Sequence, residues 1–147
     1  MKRPVAIAII LFILGGLTYY FAFTTQPPLV EYERKDELIV LESPVAGSAI
    51  SSPITITGKA RGYWFFEVSF PVSIVDWDGK IIGQYYATAQ GDWMTEEFVP
   101  FTATFEFEKP EMANDQNYNR GWIILQKDNP SGLPEHDNAL EVPIRFK

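Results

Sequence analysis

The chain has one histidine, His136, in the segment PEHDN, so a Ser-His-Asp hydrolase would have to be built on it. No Gly-x-Ser-x-Gly elbow is present, and a lone histidine between Glu135 and Asp137 reads more simply as a solvated loop residue. Asp92, Glu96 and Glu97 are close enough in sequence to supply the acid pair of a glycosidase. A lone small sandwich seldom forms the deep cleft that chemistry needs, so the plainer reading is an acidic connection between strands. Asp76, Asp78 and Gly79 look like part of a calcium loop, but Asp-Gly is also the signature of a tight hairpin turn, which explains them better. Asn114, Asp115, Asn117 and Asn119 supply further oxygens, as do Asp128, Asn129, Glu135 and Asp137, without ligand spacing. The expectation is no catalytic residue, no metal and no cofactor.

Aromatic residues offer a different chemistry. Tyr63, Trp77, Tyr85, Tyr86, Trp93, Tyr118 and Trp122 exceed the needs of one small core. Exposed rings stack on sugars or anchor a protein partner, and Trp77, Tyr85, Trp93 and Tyr118 are the candidate contacts. The competing and favoured reading places Trp64 and Trp122 in the core, with Trp77 and Trp93 capping its ends.

The elements that must position these residues are strands. From Trp64 to Ile74 every even position is apolar, while Glu67, Ser69 and Ser73 point the other way. Phe101, Ala103, Phe105 and Phe107 alternate with polar residues, as do Leu140, Val142, Ile144 and Phe146. Shorter candidates are Leu38 to Leu41, Ile54 to Thr57, Lys80 to Ala89 and Trp122 to Lys127, separated by turn chemistry such as Ser52-Pro53, Asp78-Gly79, Gly91-Asp92 and Asn129-Pro130. About seven strands without a convincing amphipathic helix predict an all-β fold, an immunoglobulin-like antiparallel β-sandwich. Pro71 and Pro143 fall on the polar-facing set, which predicts an interruption near Pro71 and places the last strand at a sheet edge.

One core fits in 147 residues, and a composition 46% hydrophobic with 21% charged residues is that of a folded chain. There is no cysteine, which excludes disulfides, thiolate metal sites and a lipidated N-terminal cysteine. All 19 acidic residues lie beyond residue 30, against 12 basic residues of which Lys2 and Arg3 lie before it, leaving that part at −9. Such a surface repels phosphate backbones, so nucleic acid is set aside as a partner.

Val5 to Phe23 is almost wholly apolar and uncharged. At about 1.5 Å per residue its helix reaches roughly 30 Å, enough to cross the hydrocarbon core. Lys2 and Arg3 hold the N-terminus inside, and Tyr19 and Tyr20 suit the far interface. A cleaved signal peptide is the rival reading; the longer apolar run and the lack of an Ala-x-Ala site favour an anchor. The expectation is an anchor over residues 1–23, an extended stalk over 24–37 built on Pro27-Pro28, and a domain over 38–147. Extended as polyproline II, that stalk spans on the order of 40 Å.

In chain order, SPVAGSAISSPITITGKARG, FEVSFPVSIVDWDGKII, ATAQGDW, PFTATFEF, NPSGLPEHDN and LEVPIRF resemble the Gmad2 domain, the immunoglobulin-like domain of bacterial spore germination proteins. The resemblance covers residues 38–147. In that family the domain is regarded as an extracytoplasmic binding or assembly module, often beside a second domain of the GerMN type for which 147 residues leave no room; the family supplies no catalytic residues. The functional expectation is a single-pass cell-membrane protein, its C-terminal domain outside, binding another envelope protein. The alternative is a glycan- or peptidoglycan-binding module using exposed aromatics.

Overall fold

The computed structural model describes residues 30–147. The anchor expected over 1–23 and the stalk residues 24–29 lie outside the described residues. Among the described residues no helix is long and apolar enough to cross a membrane.

Eight strands follow one another: β1 (Ile39–Ser43), β2 (Ala49–Ile50), β3 (Ile54–Arg61), β4 (Ser69–Val75), β5 (Ile81–Ala89), β6 (Phe98–Phe105), β7 (Arg120–Gln126) and β8 (Ala139–Phe146). They form one sheet in the order β1-β3-β6-β5-β4-β7-β8-β2. All pairings are antiparallel except the short β2–β8 contact. β5 meets β6 in register only at Thr88–Thr102 and Ala89–Phe101. There the sheet curls, so that β1-β3-β6 faces the remaining strands across a single core. Phe70 of β4 meets Phe101 of β6 edge-on at 5.0 Å between centroids, the geometry that aromatic quadrupoles prefer.

Alternation positions that core. Phe70, Val72 and Ile74, Phe101, Ala103 and Phe105, and Leu140, Val142, Ile144 and Phe146 are all buried. Glycines make room where rings cross the strands. A Cβ on Gly58 would lie 2.7 Å from the Phe101 ring and 2.2 Å from the Val40 carbonyl oxygen, and one on Gly121 would meet Phe146 and the Val75 carbonyl oxygen at the same distances.

Several expectations are corrected. The run from Trp64 to Ile74 is not one strand: Gly62–Trp64 is a 3₁₀ turn, and Glu67 and Val68 have φ of 47° and 74°, so the chain reverses between Phe66 and Ser69. The interruption therefore precedes Pro71, which pairs with Tyr86 inside β4 one residue before contact with β7 begins at Val72–Leu125. Trp64 is fully buried, but Trp122 lies on the outer face of β7, opposite Pro143, and is only partly buried. Residues 30–37, the described part of the segment 24–37, run along the domain. Val30 packs on Gly47, partly buried Tyr32 lies against the core, and the Lys35 ammonium donates to Asn138 Oδ1 at 2.8 Å.

The last strand lies beside the edge rather than on it, because β2 adds a two-residue rung at Arg145 and Phe146. Pro143 turns its carbonyl to the Gly47 amide at 2.7 Å, so its missing N–H costs no bond to β7.

Candidate functional site

Antiparallel pairing gathers the connections Gly62–Val68, Gln90–Glu97 and Lys127–Asn138 at one end of the sheet. Backbone bonds hold them together: the Gly62 amide donates to Glu97 O at 3.1 Å, Asp128 N to Trp64 O at 3.1 Å, and Ala89 N to Val68 O at 2.8 Å. Val30, the first described residue, sits at the other end, against Gly47.

The tip of this upper end is a two-residue turn. Phe66 and Ser69 exchange both backbone bonds, at 2.9 and 3.1 Å, around Glu67 and Val68. Two positive φ angles suit a type I′ turn, which favours Asn-Gly; a β-branched valine at 74° is strained. The turn also turns its apolar side chains outward, leaving Phe66 40% and Val68 41% exposed. In the neighbouring loop Met94 is 77% exposed, and Tyr63, next in sequence to buried Trp64, is exposed as well. Strain and apolar exposure thus coincide on one loop cluster, as at sites that contact a partner. Glu67, Asp92 and Glu96 rim it with exposed carboxylates. Arg61 lies on the outer face of β3 over its cross-strand partner, its guanidinium 4.1 Å from the Phe98 ring centre and 4.0 Å from a Glu97 oxygen.

The four aromatic candidates are not brought together. Trp77 and Tyr118 meet at the lower end, with centroids 4.7 Å apart and planes at 62°, so they form an edge contact and no flat platform. Tyr85 stacks on Phe105 at 5.8 Å and 19°, where β5 diverges from β6, and is 51% exposed. Trp93 is at the upper end, packed against the core, with its carbonyl beside Gly62. Phe66, Val68 and Met94 were not singled out in the sequence. Met94 alone carried a signal, an apolar residue next to Trp93 in an acidic loop.

The polar candidates find local roles. Ser131 Oγ lies 3.0 Å from His136 Nδ1, and the same hydroxyl lies 2.5 Å from Asn129 Oδ1. Asp137 accepts from Asn129 Nδ2 at 2.7 Å, and among the described residues the ring of His136 is bonded to Ser131 and to no carboxylate. All of Ser131, His136 and Asp137 are exposed. Asp92 accepts the Met94 amide at 3.0 Å within its own loop, and Glu97 faces Arg61. Asp76 is buried and accepts the amides of Asp78 and Lys80 at 3.0 and 2.9 Å, while Gly79 takes φ 79°, which is the hairpin reading of this segment. Among the described residues no group of three His, Asp or Glu side chains is placed to hold a metal ion. Arg34 is held above its ordinary pKa by its hydrogen bond to Asp36 and that carboxylate's charge, in solvent on the N-terminal segment.

Residues 38–118 match the model of the family described as the immunoglobulin-like domain of bacterial spore germination. The match ends before β7 and β8, which complete the sheet beside β4. No curated protein and no solved structure matches the chain.

Proposed function

The chain belongs to the Gmad2 family of immunoglobulin-like domains, and from that premise we propose that it is a non-catalytic binding module, anchored in the cell membrane and working outside it. The observation that carries the binding role is the upper tip, where Phe66, Val68 and Met94 are exposed on a strained turn. The anchor rests on the apolar run Val5 to Phe23 behind Lys2 and Arg3. That Val30, the first described residue, lies at the opposite end supports a tip facing away from the membrane. The partner is an envelope protein with an apolar recess ringed by basic groups, matching Glu67, Asp92 and Glu96.

The non-catalytic part of the reading is supported by the exposed Ser131–His136 pair, which lacks an orienting carboxylate among the described residues. Site-directed photocrosslinking tests the proposal. A photoreactive phenylalanine analogue at Phe66 in the full chain should give one discrete adduct in intact cells, and the same group at exposed Thr55 should not. Equal patterns from the two positions would count against the tip.

A further inference from the structure

A second surface lies on the outer face of β7 and β8. Gly121, Ile123, Leu125, Leu140, Val142 and Ile144 point into the core, so the intervening residues face out in cross-strand rows. From the lower end these rows are Arg120–Arg145, Trp122–Pro143, Ile124–Glu141 and Gln126–Ala139. Two hollows, of about 780 and 310 Å³, lie along this strip, and Trp122 and Glu141 line both.

The two ends of the strip carry opposite charge. The larger hollow is walled by Glu31, Glu33, Asp137 and Glu141 against one ammonium, that of Lys35. Lys35 is engaged within this wall, its Nζ 2.8 Å from Asn138 Oδ1 and 3.7 Å from Glu33 Oε1, which leaves Asp137 and Glu141 without an ion pair among the described residues. At the other end two guanidinium residues stand directly opposite each other, an arrangement that costs stability. Neither is in an ion pair among the described residues, and Arg145 gives one bond, to Asn119 Oδ1 at 3.0 Å. An unrelieved arginine pair in a domain of net −9 is a feature that an incoming carboxylate would satisfy, by paired hydrogen bonds. Between the ends lie the indole of Trp122 and the ring of Pro143.

We propose that this strip binds a short extended peptide carrying an ammonium at one end and a carboxylate at the other. The ammonium lies at Glu141 and Asp137, the apolar middle covers Trp122 and Pro143, and the carboxylate reaches Arg120 and Arg145. Glu141 and Arg145 are four residues apart on one strand, roughly 13 Å at about 3.3 Å per residue, which is the span of an extended tetrapeptide. This site is separate from the upper tip and does not depend on the role given to it.

Tetra-alanine with free termini is the probe, titrated into the full chain in detergent micelles and followed by NMR. The Trp122 indole N–H signal should shift and saturate. Acetylated, amidated tetra-alanine should leave it in place, and Glu141→Gln and Arg145→Gln should each weaken binding at least threefold. Both side chains are exposed, and unchanged amide dispersion in each variant shows that it folds. The proposal is overturned by the absence of a saturable shift, by equal binding of the blocked peptide, or by unchanged affinity in folded variants.

Discussion

The amide of Ala89 donates to the carbonyl of Val68 at 2.8 Å, tying the strained turn to the last residue of β5. Glu67 and Val68 are thereby held at positive φ by the surrounding ladder rather than by their own preferences. Replacing them by Asn-Gly, in the double variant E67N/V68G, relieves that strain. Denaturant unfolding should show a gain of about 1 kcal/mol, while crosslinking from position 66 should fall.

Gly58 and Gly121 occupy matching positions in the two halves of the sheet, each beneath a phenylalanine ring and against a carbonyl. Gly58→Ala and Gly121→Ala should each cost about 2 kcal/mol or more, because backbone must move. Gly91→Ala, with nothing within 4 Å of the added methyl, should be close to neutral. Thermal melts of the three variants give the comparison.

Asp76 satisfies two turn amides from a buried position, so Asp76→Ala should lose about 1–3 kcal/mol. Asp78→Ala should lose little, since its side chain is exposed. If the segment is a hairpin and not an ion loop, millimolar calcium leaves the melting temperature of the wild type unchanged.

Arg120 faces Arg145 across β7 and β8. Arg120→Glu turns repulsion into attraction and should raise stability by about 0.2–1 kcal/mol, with the gain shrinking as salt is added. A stability unchanged at low salt would show that the two guanidinium groups do not interact.

Period-two alternation made most of the core readable, because Phe70 to Ile74, Phe101 to Phe107 and Leu140 to Phe146 each place one parity inside. It failed at Phe66 and Val68 for a geometric reason. A turn of two residues reverses the chain without breaking a period of two, and Glu-Val lacks the Gly or Asn that announces such a turn. In Trp122 to Leu125 four consecutive apolar residues carry no parity, so the side on which Trp122 lies depended on pairing with β8. β2, only two residues long, was too short to leave a pattern. The aromatic residues marked as contacts were legible by type but not by place: Trp77 and Tyr118 meet at one end, Trp93 lies at the other, and Tyr85 covers the seam between β5 and β6.

The chain lacks cysteine, so single introduced cysteines report their surroundings without background. The most direct measurement is the rate at which a membrane-impermeant maleimide labels Val68→Cys and Thr55→Cys, in intact cells and in purified protein. The account predicts that both react quickly when purified, and that in cells Thr55→Cys still reacts while Val68→Cys is protected. Equal labelling of the two in intact cells, or labelling of neither until the cells are lysed, would contradict it.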